Sequence, residues 1–113
     1  MEFTKPLIII YAGDGTCEML AEVKAGIEEE GALCQVQRCD LGDTREMAYR
    51  AAKRSVLGIG IGVAQEGVCV HCKELERDNP LFEVKKYNRD ALRIMGINAA
   101  RYAKGLPFKI LEN

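Results

Sequence analysis

The chain has 113 residues, a formal net charge of −1, and 48% hydrophobic against 29% charged residues, the balance of an ordinary globular protein with one core and little to spare. Its 16 Lys and Arg are mixed evenly with 17 Asp and Glu, which removes the electrostatic case for nucleic acid or an anionic membrane as partner. The longest apolar runs, near residues 7–11 and 56–63, are too short to cross a bilayer, and the N-terminus lacks the basic-then-apolar pattern of a signal peptide, so the cytoplasm is the expected location.

In chain order, residues 6–11 are a continuous apolar run, as a central strand buried on both faces requires. Gly13-Asp14-Gly15-Thr16 then turns into a first helix, with Asp14 or Thr16 available to cap it. A glycine-rich strand-to-helix turn can cradle phosphate, but this one has neither the GxGxxG spacing nor the Gly-Lys-Ser/Thr of a P-loop, which favours a plain capped turn. Met19, Leu20, Val23 and Ile27 form one apolar stripe at helical spacing, and Gly31 is the natural left-handed stop.

The end of that helix, Gly26-Ile27-Glu28-Glu29-Glu30-Gly31, does not fit its own electrostatics. Three carboxylates sit in a last turn where the helix dipole already presents negative charge, at a cost of about 0.3–1 kcal/mol each when exposed. At about 100° per residue, Glu29 points nearly opposite the inward-facing Ile27. The run is either a solvated charged surface or a cluster whose cost is offset by a cation or a basic partner.

Cys34-Gln35-Val36-Gln37-Arg38-Cys39 alternates with period two and predicts a half-exposed strand near a sheet edge. Asp43-Thr44-Arg45-Glu46 has the spacing of a capping box and opens a second helix. Met47, Ala48, Ala51 and Ala52 make its small apolar side, leaving Arg45, Arg50, Lys53 and Arg54 for solvent or a partner. Residues 56–63 predict a third strand with Leu57, Ile59, Ile61 and Val63 on one face and Gly58, Gly60 and Gly62 on the other. A flat glycine face admits a helix or another backbone closely, and no helix follows to make it a dinucleotide fingerprint. Gln65-Glu66-Gly67 turns into a fourth strand, 81–85 is a short fifth, and Asn88 caps a last helix with Leu92, Met95, Ala99 and Ala103 on one side. Gly96 interrupts that helix at a cost near 1 kcal/mol relative to Ala, which marks a close approach. Gly105 and Pro107 close it. The expected fold is α/β, residues 1–113 forming a single layered domain with a mixed β-sheet flanked by helices in the order β-α-β-α-β-β-β-α.

The five cysteines, an odd number without an export signal, are expected to be reduced thiols. Cys69-Val70-His71-Cys72 is a CxxC with an embedded histidine, but a strand places Cys69 and Cys72 on opposite faces, wrong for joint ligation or a disulfide. A redox CxxC would instead open a helix. His71, the sole histidine, is expected to be a packed or partner-facing strand residue rather than a general base.

Three passages resemble a known family: the Gly26-to-Gly31 run after the Asp14-Gly15 turn; Leu57-Gly58-Ile59-Gly60-Ile61 leading to Val70-His71; and Pro80-Leu81-Phe82 followed by Arg93-Ile94-Met95-Gly96-Ile97-Asn98-Ala99-Ala100-Arg101 and Lys104-Gly105-Leu106-Pro107-Phe108-Lys109. They resemble the small subunits of reactivating factors for adenosylcobalamin-dependent diol and glycerol dehydratases. The chain departs from that family in its cysteine load, in Cys72 and in the Gly13-to-Cys17 turn. The resemblance implies a fold like the dehydratase medium subunit and a chaperone-like, non-catalytic role. In such factors a large subunit hydrolyses ATP, and the small subunit exchanges with the dehydratase's medium subunit so that damaged cobalamin leaves. This chain alone would bind no cobalamin. Its partners would be the reactivase large subunit and the dehydratase large subunit. Glu29 would join carboxylates of the reactivase large subunit around a magnesium ion, consistent with the hard-cation preference for carboxylate. A bacterial microcompartment is compatible with this role, and an unpartnered binding face favours self-association of the isolated chain. Two other readings stand beside it: a cobalamin-contacting subunit of the dehydratase itself, for which the chain is short, and a small thiol or metal protein built on Cys69 and Cys72.

Overall fold

The computed structural model describes residues 6–85 and 88–109. In chain order they form β1 (Ile8–Ala12), α1 (Cys17–Glu29), β2 (Cys34–Arg38), α2 (Thr44–Arg54), β3 (Ile59–Ala64), β4 (Gly67–Cys72), β5 (Phe82–Val84) and α3 (Arg89–Lys104), the α/β order expected. One sheet runs β2-β1-β3-β4-β5. β1 lies parallel to β2 and β3, whereas β4 and β5 continue antiparallel. Parallel neighbours require crossovers, supplied by α1 and α2, while β3 turns straight back into β4 through Gln65 and Glu66.

The pleat sorts the side chains onto two faces. Ile8 and Ile10 of β1 join Ile59, Ile61 and Val63 of β3 in the main core, under α1 and α3. Ile9 and Tyr11 point the other way, into a smaller core with Met47 and Ala51 of α2. β1 is therefore buried on both faces, which is why its sequence is a continuous apolar run. On the α2 side, a Cβ at Gly60 would strike the backbone of Ala48, Ala51 and Ala52, and one at Gly62 the carbonyl of Thr44. The glycine face is the seat of α2.

Several local expectations need correction. The third strand begins at Ile59 rather than residue 56, because Ser55 starts a turn: its hydroxyl donates to Leu7 O at 2.6 Å and accepts from Leu57 N at 3.1 Å. Gly58 closes that turn at φ 73° and does not belong to the glycine face. β1 starts two residues later than expected, at Ile8. Thr16 stands at the first helix's N-cap but turns its hydroxyl back to Gly13 O at 2.7 Å and caps nothing. Asp43 does cap α2, accepting from Arg45 N at 3.0 Å, whereas Glu46 pairs with Arg50 and Arg77 instead of completing a capping box. Asn88 caps α3 as expected, accepting from Ala91 N at 3.1 Å.

Arg45, left by the sequence for solvent or a partner, forks onto Glu83 of β5 at 2.9 and 2.8 Å and ties α2 to the short edge strand. The Arg45 hydrogen bonds, opposed by partial burial, hold the Glu83 carboxyl below the usual carboxylate range. A depressed folded-state value adds stability above the ordinary carboxylate range, lost as pH falls through the depressed value. The stability difference between wild type and Glu83→Gln, read from urea midpoints, is expected to be full at neutral pH and to vanish in acid.

α1 and α3 meet backbone to backbone. A Cβ on Gly26 would run into Arg93 O and Ile97 N, and one on Gly96 into Val23 O and Ile27 N. Helix propensity favours Ala over Gly by about 1 kcal/mol, but a helix backbone cannot give way as a flexible side chain can. Gly96→Ala is expected to destabilise the fold by about 1–3 kcal/mol, the cost of overpacking a close contact, seen as a lower urea midpoint with an unchanged slope.

Candidate functional site

α1 stops where expected. Gly31 sits at φ 72°, its N–H donates to Glu28 O at 3.0 Å, and Ala32 N–H donates to Ile27 O at 3.2 Å, a Schellman ending. α3 ends the same way at Gly105, with Gly105 N–H to Tyr102 O at 3.1 Å and Leu106 N–H to Arg101 O at 2.8 Å.

Part of the cost of the acidic end is met from within the chain. Because α3 lies against α1 at the two glycines, Arg93 reaches Glu22 at 2.9 Å and Glu29 at 3.4 Å. Arg101 forks onto Glu30 at 3.2 and 3.4 Å, and the Lys104 ammonium donates to the Glu30 carbonyl, one of the acceptors the helix end leaves open. Glu22 and Glu29 hold the Arg93 guanidinium more firmly in its charged form, the Glu22 hydrogen bond contributing most. Glu30, part of a run that the sequence left open between a solvated surface and an offset cluster, is a locked ion-pair partner with its side chain 19% exposed. Glu28 is exposed.

Glu29 differs from its neighbours. Its side chain is half-exposed (51%), and its contact with Arg93 is the longer of that arginine's two carboxylate contacts. It offers one oxygen-rich ligand of the kind magnesium takes. Among the described residues no three His, Cys, Asp or Glu side chains gather to hold a metal. Glu29 is therefore not part of a metal site complete among the described residues.

The CxxC stretch lies on β4, as expected, and its side chains are tied up in packing. His71 is fully buried; Cys72 N–H donates to its Nδ1 at 3.0 Å, which leaves Nε2 to donate to Arg77 O at 3.0 Å. Its ring meets Tyr49 edge-on at 5.5 Å. Cys69 lies opposite Gly62 on the α2 side, and burial, with Glu83 nearby, pushes its thiol up to about 12. All five cysteines are free thiols.

The chain matches the dehydratase medium subunit family over residues 5–109. It belongs to that family. Within it, the chain is 41% identical to the propanediol dehydratase-reactivating factor small subunit of Citrobacter freundii, over 94% of this chain and 92% of that protein. It is 38% identical to the diol dehydratase-reactivating factor small subunit of Klebsiella michiganensis, over 96% and 87%. Among solved structures, a diol dehydratase-reactivating factor complexed with ADP and Mg2+ contains a similar chain, with TM-score 0.88 and 37% identity over 95% of this chain and 100% of that one. A glycerol dehydratase reactivase is similar at TM-score 0.87 and 29% identity, over 94% and 98%. The family likeness thus runs to the reactivating factors and not to a thiol or metal protein.

Arg93, Arg101 and Lys104 had no assigned role in the sequence. The available signal was Gly96: a helix interrupted for a close approach brings the cations flanking the gap onto whatever approaches. With the thiols, accessibility decides reactivity. A thiol reagent is expected to label the exposed Cys17 in the native protein and to reach Cys69 and Cys72 only on unfolding, as peptide mapping before and after denaturation would show.

Proposed function

We propose that this chain is the small, non-catalytic subunit of a dehydratase-reactivating factor. The observation that carries this reading is the match along nearly the whole of both chains to the reactivating-factor small subunits. Its partner is a large subunit that carries ATP hydrolysis, and the acidic end of α1 with its α3 cations is the docking surface. There Glu29 supplies one carboxylate to a magnesium ion shared with that subunit, while Arg93 holds Glu29 and Glu22 in place on the α1 flank. A hard cation there would offset the negative helix end that α3 has not neutralised. Membership of the medium-subunit family gives the physical basis for exchange: a chain of this shape competes for the medium subunit's seat on a cobalamin-dependent diol or glycerol dehydratase, and an opened seat lets damaged cofactor leave. No helix among the described residues is long and apolar enough to cross a membrane. Where a microcompartment houses the dehydratase, this chain would be housed with it.

Assembly with a reactivating-factor large subunit is the test. Wild type is expected to assemble and to gain affinity with magnesium. Glu29→Gln should lose about tenfold or more of that gain while keeping its circular dichroism and thermal midpoint. An unchanged magnesium titration would remove the metal role, and failure of wild type to assemble under any condition would remove the subunit reading.

A further inference from the structure

Beyond α3 the chain folds back on its own helix. Gly105 reverses it at φ 71°, and Pro107 presets its own φ while disfavouring helix at Leu106 before it. Residues 106–109 then form a strap running back along α3. Pro107 O accepts from Arg101 at 3.3 Å, and about one helical turn further back Lys109 meets Asn98. Between these two contacts the Phe108 ring meets Phe82 of β5 edge-on at 4.8 Å.

Asn98 fastens the strap with both ends of its carboxamide. Its Nδ2 donates to Lys109 O at 2.9 Å and its Oδ1 accepts from the Lys109 N–H at 2.6 Å, the pairing a neighbouring strand would offer. Reversed, the carboxamide would set donor against donor and acceptor against acceptor. Asn98 is 2% exposed and lies inside a helix, where asparagine is a poor helix former. The strap bonds satisfy both of its buried polar atoms. Three residues on, and so on the same face of α3, stands Arg101. All three of its guanidinium nitrogens donate: Nε and one terminal nitrogen fork onto Glu30 at 3.2 and 3.4 Å, and the other terminal nitrogen donates to Pro107 O. The guanidinium is thus held between the strap and the acidic end of α1.

We propose that residues 106–109 are a latch, fastened by the positioning residue Asn98, that aims Arg101 at the acidic end of α1. An arginine side chain has several freely turning bonds, and a carboxylate on one side alone leaves much of that freedom. A second acceptor on the strap removes it, so Glu30 meets a guanidinium already set in place. The acidic end then depends on a segment more than 70 residues away along the chain, and releasing the latch loosens the Arg101–Glu30 pair without breaking α1 or α3. The latch rests on these contacts alone; its effect on assembly rests on the reading of the acidic end as the docking surface.

The test is NMR of the full chain, reading hydrogen exchange at the Lys109 amide and at the Arg101 Nε–H. Asn98→Ala removes both strap bonds, and Lys109→Pro removes the amide donor at an exposed position. Exchange at the Arg101 Nε–H is expected to quicken by about tenfold in either variant. Lys109→Ala keeps both backbone bonds and should behave as wild type. Should Asn98→Ala fail to fold, Lys109→Pro carries the test. A lower thermal midpoint with the Arg101 signal unchanged would reduce the strap to a structural cap and overturn the latch, as would a Lys109 amide still protected in Asn98→Ala. Assembly with a large subunit, at fixed magnesium, is expected to weaken by roughly threefold to tenfold in Lys109→Pro. A loosened Arg101 with unchanged assembly would uphold the latch and count against the acidic end as the docking surface.

Discussion

Two glycines facing each other across a helix pair determine most of what this molecule presents to its surroundings. Gly26 and Gly96 let α1 and α3 touch through their backbones, and that contact sets the distance at which every other pair along the two helices meets. Arg93 can bridge Glu22 and Glu29, and Arg101 and Lys104 can close over Glu30, because α3 lies a side chain nearer than ordinary packing would allow. The acidic end is thereby made tolerable without being made neutral. Glu30 is locked, Glu28 is left to water, and Glu29 is held by the longer of the two Arg93 carboxylate contacts and stays half open.

The chain presents unlike surfaces on the two faces of its sheet. The α1–α3 face ends in carboxylates beside arginines, where the proposed shared cation would sit. The α2 face carries a cleft lined by Tyr11, Gln37, Cys39, Arg50, Lys53 and Arg54.

Where the governing contacts are local, sequence and structure agree closely. β1 declares itself by its unbroken apolar run, the Gly31 and Gly105 stops by left-handed glycines, and α3's start by Asn88. The start of β3 was misplaced because Val56 and Leu57 are apolar residues in a turn held by the Ser55 hydroxyl, and apolar runs do not distinguish turn from strand. The alternation of glycine and isoleucine was legible as a close approach, yet it could not say that α2 was the element approaching. At the acidic end the sequence exposed the electrostatic anomaly but not its resolution. The answering cations lie 64 to 74 residues away along the chain, and the metal role expected of Glu29 came from the family resemblance alone.

The most direct test of the central claim is the footprint of the large subunit on this chain, read by hydrogen–deuterium exchange with and without the partner bound. Slowed exchange at the end of α1, over residues 26–31, together with the facing stretch of α3 around residues 93–101, is the predicted result. Protection confined to other surfaces, with the acidic end exchanging as freely as in the isolated chain, would contradict it.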